Sequence, residues 1–266
     1  MSNDHHIAII LAGGNGTRMN MDLPKVCCLI NGKPMIIHIL ETVMKTQPTK
    51  IFVILGKSKD IVTDTITQWC INQTTNIKTN IIEYIIQSEQ LGTGHALLCC
   101  IPSLHFYNNY RAIILCGDVP LISDKTLNKM LTKTMNSQML VTHKHNPSGM
   151  GRVKTSSLGN FLNIIEEKDC TDRDKNIQLV NGGIYVLKCI QIIKYCPLIK
   201  NDNSQKEYYL PEIFKIIQNH HEVIELYVLP VNLQFQIEGV NTQKQLKNVE
   251  IIHNTIHSSF TNVWGL

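Results

Sequence analysis

What this chain has least of is charge and aromatic surface: 17% of its residues are Asp, Glu, Lys or Arg, and 6% are aromatic. Lys and Arg nowhere gather into a dense block, and no basic stripe with interleaved aromatics occurs. That argues against a nucleic-acid track. The formal net charge of +4 suits small anionic substrates better. No apolar run approaches the ~20 residues of a bilayer span, so no membrane partner is expected. The opening "MSNDHHIAIILAGG" lacks a signal-peptide pattern, because its apolar stretch is short and runs into glycines. His5 and His6 in it read as a polar overhang rather than a metal tract. Nine cysteines are present, none at Cys-x-x-Cys spacing, and two pairs are adjacent, Cys27–Cys28 and Cys99–Cys100. Reduced thiols in a cytoplasmic compartment are the expectation. Internal repeats are absent, and so is any hexapeptide β-helix periodicity.

What is present is apolar sequence in short, regularly spaced runs. With 266 residues, 43% of them hydrophobic, the chain can bury the core of one α/β domain without staples. The patterning predicts strands over 7–11, 51–55, 81–86, 112–115, 139–142, 161–166, 179–187 and 223–229. It predicts helices over 34–45, 59–71, 94–100, 124–134, 210–218 and 242–253. Pro34 suits a first helical turn, and Asp124 and Thr242 stand where N-caps belong. The βαβαβ alternation of the first half predicts a mostly parallel sheet covered by helices on both faces. The second half is less regular, and "KNDNSQKEYY" is its most loop-like stretch.

Three strand ends carry residue types suited to an anionic nucleotide. After "IAII" comes "LAGGNGTRM", with Gly13, Gly14 and Gly16 where open α/β sheets hold their ligands. The dinucleotide fingerprint fails here, because its third glycine position is Met19, and no P-loop pattern occurs anywhere. Instead the turn is followed by Arg18 and then by "DLPKV" with Lys25. Two cations beside exposed glycine N–H groups make a receptor for a triphosphate. The plainer alternative is a tight turn with two solvated cations. The second strand end leads into "QSEQLGTGHALL", where Gln87 can read a base edge and Gly92 lets a base lie close to the backbone. A helix entry capped by Thr93 is the alternative. The third, "CGDVPLI", places Asp118 past a buried strand, a natural ligand for a hard cation such as Mg²⁺ or, more plainly, a turn-capping Asp.

Eight segments, "LAGGNGTRM…LPKV", "QSEQLGTGHALL", "CGDVPLI", "GMGRV", "IIEEKDCT", "VNGGIYV", "QKEYYLPEIF" and "IEGVN", occur in the order found in one family. From about Ile7 to about Leu246 the chain resembles the uridyltransferase domain of the bacterial bifunctional N-acetylglucosamine-1-phosphate uridyltransferase and glucosamine-1-phosphate acetyltransferase. The opening motif is shared by many sugar nucleotidyltransferases, whereas "EQLGTGHA" with "GDVPLI" is much narrower. The resemblance implies an α/β fold, a Rossmann-like mixed, mostly parallel sheet with a smaller β-rich lobe over the sugar. It implies a transferase domain over 1–250, a helix end and tail over 251–266, and no β-helix acetyltransferase domain. Without that β-helix the oligomeric state stays open, with Trp264 either packed on the body or at a subunit contact.

Site residues follow from the resemblance position by position. Leu11, Ala12, Gly13, Gly14, Arg18 and Lys25 are implied to meet the nucleotide, with Gln87, Gly92 and Thr93 at the uracil and Gly117 beside it. Asp118 and Asn241 are implied to hold Mg²⁺. Gly151, Glu166, Asn181 and Tyr209 are implied to meet the sugar. The chain departs from the family in having Cys116 for a common tyrosine, Gly13 for a common alanine and Pro211 for a threonine. The implied substrates are UTP and N-acetylglucosamine 1-phosphate. A sugar phosphate is its own nucleophile, so no general base is required, and no Ser–His or His–Asp constellation presents itself. Arg18, Lys25 and Asp118 are the implied catalytic set. Two alternatives remain: a thymidylyl- or uridylyltransferase using glucose 1-phosphate, and a silent nucleotide-sugar binding module. The latter would be marked by loss of Asp118, Lys25 or Asn241, and all three are present.

Overall fold

A computed structural model describes residues 5–14, 19, 23–72 and 78–261. Its strands are β1 (His6–Leu11), β2 (Leu29–Ile30), β3 (Lys33–Pro34), β4 (Ile51–Leu55), β5 (Ile82–Ile86) and β6 (Arg111–Cys116), then β7 (Ser137–His143), β8 (Arg152–Thr155), β9 (Phe161–Ile165), β10 (Leu179–Lys188) and β11 (Ile224–Val228). Its helices are α1 (Met35–Met44), α2 (Lys59–Asn72), α3 (Thr93–Leu104) and α4 (Asp124–Lys133), then α5 (Asp172–Lys175), α6 (Cys189–Tyr195), α7 (Glu212–Asn219) and α8 (Gln243–Thr261).

The strands form one mixed sheet in the order β11-β7-β10-β6-β1-β4-β5. Every pairing along that path is parallel except the two made by β10. The central strands are apolar on both faces because both faces are covered. Ala8 and Ile10 of β1 pack with α1, α2 and α4, while Ile7 and Ile9 pack with α3, α6 and α7. This period of two repeats in β4 and β6, so each strand joins two apolar layers. The parallel arrangement also brings the carboxyl ends of β1, β4, β5, β6 and β7 to a single edge of the sheet.

Several boundaries differ from the sequence pattern for local reasons. The cap of α4 is Ser123, whose hydroxyl accepts from Thr126 N at 3.2 Å, and Asp124 is the first helical residue instead. Pro34 is the residue before α1, extended at ψ 139°, and not part of its first turn. α3 continues through Pro102 to the buried Leu104. β8, α5 and α6 were not predicted. α6 follows β10 directly, set off from its apolar run only by Lys188, and β8 reads "RVKT", too short and too charged to register as a strand. The smaller β-rich lobe expected over the sugar does not stand out as a separate unit among the described residues: β8 and β9 continue the main sheet through β10.

Candidate active site

Two adjoining cavities open at the carboxyl edge of the sheet. The first, about 410 Å³, lies over the ends of β1, β5 and β6 and is lined by Leu11, Gly13, Gly14, Lys25, Gln87 and Gly92, among others. Ala12 lies beneath it, buried, its N–H donating to Ile54 O at 2.8 Å. Gly13 approaches Gly56 at the end of β4 so closely that a Cβ on Gly56 would sit 2.4 Å from Gly13 O. Gly56 thus backs the lining residue Gly13, a role that motif reading passed over. Gly117 N donates to Leu11 O at 2.8 Å, closing the floor between β1 and β6. Arg18 lies outside the described residues.

Gln87 and the loop after it are tied to the segment around Tyr208. Gly92 precedes α3 at φ +108°, and a Cβ there would lie 2.6 Å from Tyr208 O, so conformation and space both require glycine. Gly94 N donates to Tyr208 O at 2.7 Å, and Thr93 Oγ1 accepts from Leu210 N at 3.0 Å. Thr93 therefore does not cap α3, whose N-cap position is Gly92. Its hydroxyl binds the chain entering α7. Glu207, from the same loop, reaches the walls of both cavities.

The second cavity, about 490 Å³, exists because β10 changes partners. Its C-terminal half pairs with β6 from Ile184 onward, while Val180 pairs with β8. Between Asn181 and Tyr185 the register against β7 shifts, and the strand bulges. Asn181 holds the bulge: its Oδ1 accepts from Gly183 N at 3.0 Å and its Nδ2 donates to Tyr185 Oη at 2.7 Å. The splay leaves a cleft between β6 and β8, lined by Cys116, Gly151, Glu166, Asn181, Tyr185 and Tyr209.

The electrostatics of this cleft are set by burial. The Glu166 carboxyl is pushed up to about 7 by burial, then by the nearby Asp169 and Glu212, against the pull of Arg152. Gly151 lies against it: a Cβ at that position would be 3.1 Å from Glu166 Oε1. Arg152, 1% exposed, donates to Glu167 at 2.6 Å, which also accepts from Gly149 N at 2.9 Å. Glu167 thus holds the "GMGR" turn in place, a role that sequence reading did not give it. Burial, with Asp118 adding to it, pushes the Cys116 thiol up to about 12, so it stays protonated at neutral pH and is no nucleophile. Tyr209 accepts from Gln205 at 3.0 Å at the far wall, and a Lys144–Glu238 ion pair lines the same cavity.

Where the cavities meet, three side chains converge from distant parts of the chain. Lys25 Nζ lies 2.6 Å from Asp118 Oδ2 and 3.0 Å from Asn241 Oδ1. The backbone enforces the meeting, because Val240 N donates to Asp118 O at 2.9 Å. Asp118 and Asn241 line both cavities. Their oxygens, converging on one ammonium, form a hard-oxygen donor pair that fits a small divalent cation. Among the described residues no group of three or more His, Cys, Asp or Glu side chains could hold a metal ion alone. A cation at this pair would therefore draw its remaining ligands from substrate phosphates and water, as Mg²⁺ characteristically does.

Two anionic substrates brought together at one lysine and one acid, beyond the strand ends of a mostly parallel sheet, are what an α/β nucleotidyltransferase has to accommodate. The chain belongs to the nucleotidyl transferase family, whose profile matches residues 7–228. It is 40% identical over 248 residues to a probable UDP-N-acetylglucosamine pyrophosphorylase of Acanthamoeba polyphaga mimivirus, covering 91% of this chain and 94% of the relative. It is 35% identical over 243 residues to the bifunctional protein GlmU of Psychrobacter sp. (strain PRwf-1), and 37% over 244 residues to that of Francisella tularensis subsp. novicida (strain U112). Each of these two matches covers 91% of this chain and 50% of the relative, so the chain spans about half the length of the bifunctional proteins. Among the described residues no helix is long and apolar enough to cross a membrane.

Proposed function

We propose that the chain transfers the uridylyl group of UTP to N-acetyl-α-D-glucosamine 1-phosphate, giving UDP-N-acetylglucosamine and pyrophosphate. The observation that carries this reading is the convergence of Lys25, Asp118 and Asn241 on the wall shared by two cavities. The names of the relatives support the choice of substrates.

In this reading UTP fills the first cavity, its base toward Gln87, Gly92 and Thr93 and its phosphates over the 11–14 turn and Lys25. The sugar phosphate fills the second, its hydroxyls toward Gly151, Glu166, Asn181 and Tyr209. A phosphate monoester has a second pKa near 6, so at neutral pH the sugar phosphate is mostly a dianion ready to attack. One of its oxygens forms a bond to the α-phosphorus of UTP while the α–β bridging bond breaks and pyrophosphate departs with the electron pair. The obstacle is repulsion between two polyanions. Lys25 and the glycine-loop amides offset charge that builds on the leaving group. Asp118 and Asn241 would hold a divalent ion, Mg²⁺ in this proposal, which would supply further charge neutralisation when bound. Asn181 and Glu166 orient the sugar and take no part in bond making.

The deciding measurement is pyrophosphate release from UTP and N-acetylglucosamine 1-phosphate. It is run beside dTTP, beside glucose 1-phosphate, and with and without Mg²⁺. Release that is fastest with glucose 1-phosphate would replace this reading with a different sugar specificity, and no release with any pair would refute it.

A further inference from the structure

Gln87 is 4% exposed, lines the first cavity, and is bound at one end of its amide only. Its Nε2 donates to Gly92 O at 3.1 Å and to His95 Nδ1 at 3.1 Å. A backbone carbonyl can only accept, so Gly92 O dictates which end of the amide faces it. With the amide set that way, His95 must accept at Nδ1 and carry its proton on Nε2. Gln87 Oε1 takes no partner among the described residues and lies on the side of Gly13, where a Cβ would be 3.0 Å from it. A nine-tenths-buried side chain thus presents a bare acceptor at the cavity wall.

We propose that His95 is a positioning residue for base selection: by accepting from Gln87 Nε2 it keeps Oε1 turned into the nucleotide cavity. The site then takes a pyrimidine whose ring nitrogen carries hydrogen and disfavours one whose ring nitrogen is a bare acceptor. Uracil and thymine have an N3–H to donate to Oε1. Cytosine presents the N3 lone pair at the same place, and two acceptors facing each other in a dry site leave both unpaired. Gly92 O fixes the same amide but divides its two lone pairs between Gln87 Nε2 and Ala96 N, the latter at 3.1 Å within α3. His95 Nδ1 is the partner not shared with the helix backbone. The discrimination is between the imide bases and cytosine, and it does not separate uracil from thymine.

This inference rests on the first cavity being the nucleotide site. The test measures UTP and CTP binding by calorimetry without sugar phosphate, and kcat/KM for each nucleotide with N-acetylglucosamine 1-phosphate. It compares the wild type with His95→Leu, which removes the acceptor, and His95→Asn, whose Oδ1 can stand near the Nδ1 position. His95→Ala serves as the deletion should the leucine variant fail to fold. The wild type is expected to prefer UTP. Deleting the acceptor lowers the UTP/CTP ratio about tenfold, the weight of one neutral hydrogen bond, and the loss appears in KM for UTP more than in kcat. His95→Asn restores most of the ratio. Equal binding of the two nucleotides by the wild type overturns the inference, as does an unchanged ratio in a folded deletion variant or an asparagine variant no better than the deletion. A wild type that selects UTP in the binding assay but does not turn over the sugar phosphate would sink the proposed reaction and leave the role of His95 standing.

Discussion

The ammonium of Lys25 sits 2.6 Å from Asp118 Oδ2, although 92 residues separate the two in the chain. Both side chains are largely sheltered, at 12% and 20% exposure, so the pair lies where charge is weakly screened. A cation and an anion held this way can each be offered to a substrate without first being stripped of bulk water.

Loss of either partner should therefore reduce chemistry far more than folding. Removing one charged contact to a developing transition state commonly costs about 3–4 kcal/mol of barrier. Asp118→Ala and Lys25→Ala are each expected to lower kcat at least about a hundredfold by that arithmetic, with a cooperative thermal melt retained. Near-normal turnover in a folded variant would remove that residue from the mechanism.

Metal dependence is expected to run through the same cluster. Chelation with EDTA should abolish pyrophosphate release, and added Mg²⁺ should restore it. Asn241→Ala removes one of the two protein oxygens and is expected to raise the Mg²⁺ concentration for half-activation about tenfold, in the range for loss of a supporting ligand. An unaltered Mg²⁺ dependence in that variant would count against the asparagine as a ligand.

Glu166 makes stability depend on pH. Its carboxyl is raised from an ordinary 4.5 to about 7 in the folded chain, chiefly by burial. The folded state then binds the proton more tightly than the unfolded state over that interval. The contribution is fully present below about pH 4.5 and is lost as pH rises through about 7. Glu166→Gln, which cannot ionise, should gain melting temperature relative to the wild type between pH 5 and pH 8. A difference that stays constant across that range refutes the assignment. The same variant should raise KM for the sugar phosphate more than it lowers kcat, because in the proposed reading the side chain orients hydroxyls without touching the reacting phosphorus.

Gly92 is a position where a single methyl should do harm on two counts. At φ +108°, with Tyr208 O 2.6 Å from the added carbon, Gly92→Ala strains its own backbone and pushes apart the loop proposed to frame the base. A loss of about 1–3 kcal/mol in urea unfolding is expected, together with weaker UTP binding. Unchanged values for both would mean that the loop relaxes freely.

Much of this molecule was readable as a string. The β1, β4, β6 and β10 runs declare themselves because a strand covered on both faces must be apolar at successive positions, which needs no knowledge of its neighbours. The glycines at 13 and 14 and Asp118 stand out for a similar local reason: each follows a buried strand, where a chain has little other use for bare backbone or a charge. β8 and α6 were not legible, since one is brief and charged and the other merges with the strand before it. Gly56 was missed because its need for glycine comes from Gly13 of another strand, and Glu167 because its role is to hold a turn across β8.

The tertiary structure alone decided what these parts do together. That Asn241 meets Asp118 depends on one backbone hydrogen bond from Val240, and that a second cavity exists depends on β10 changing partners at a bulge. That Gln87 shows its oxygen, not its nitrogen, to the cavity depends on two acceptors, Gly92 O and His95 Nδ1. Burial and periodicity are written residue by residue, so sequence determines them. The direction of a hydrogen bond and the meeting of charges belong to pairs of residues, and only the folded chain brings those pairs within reach.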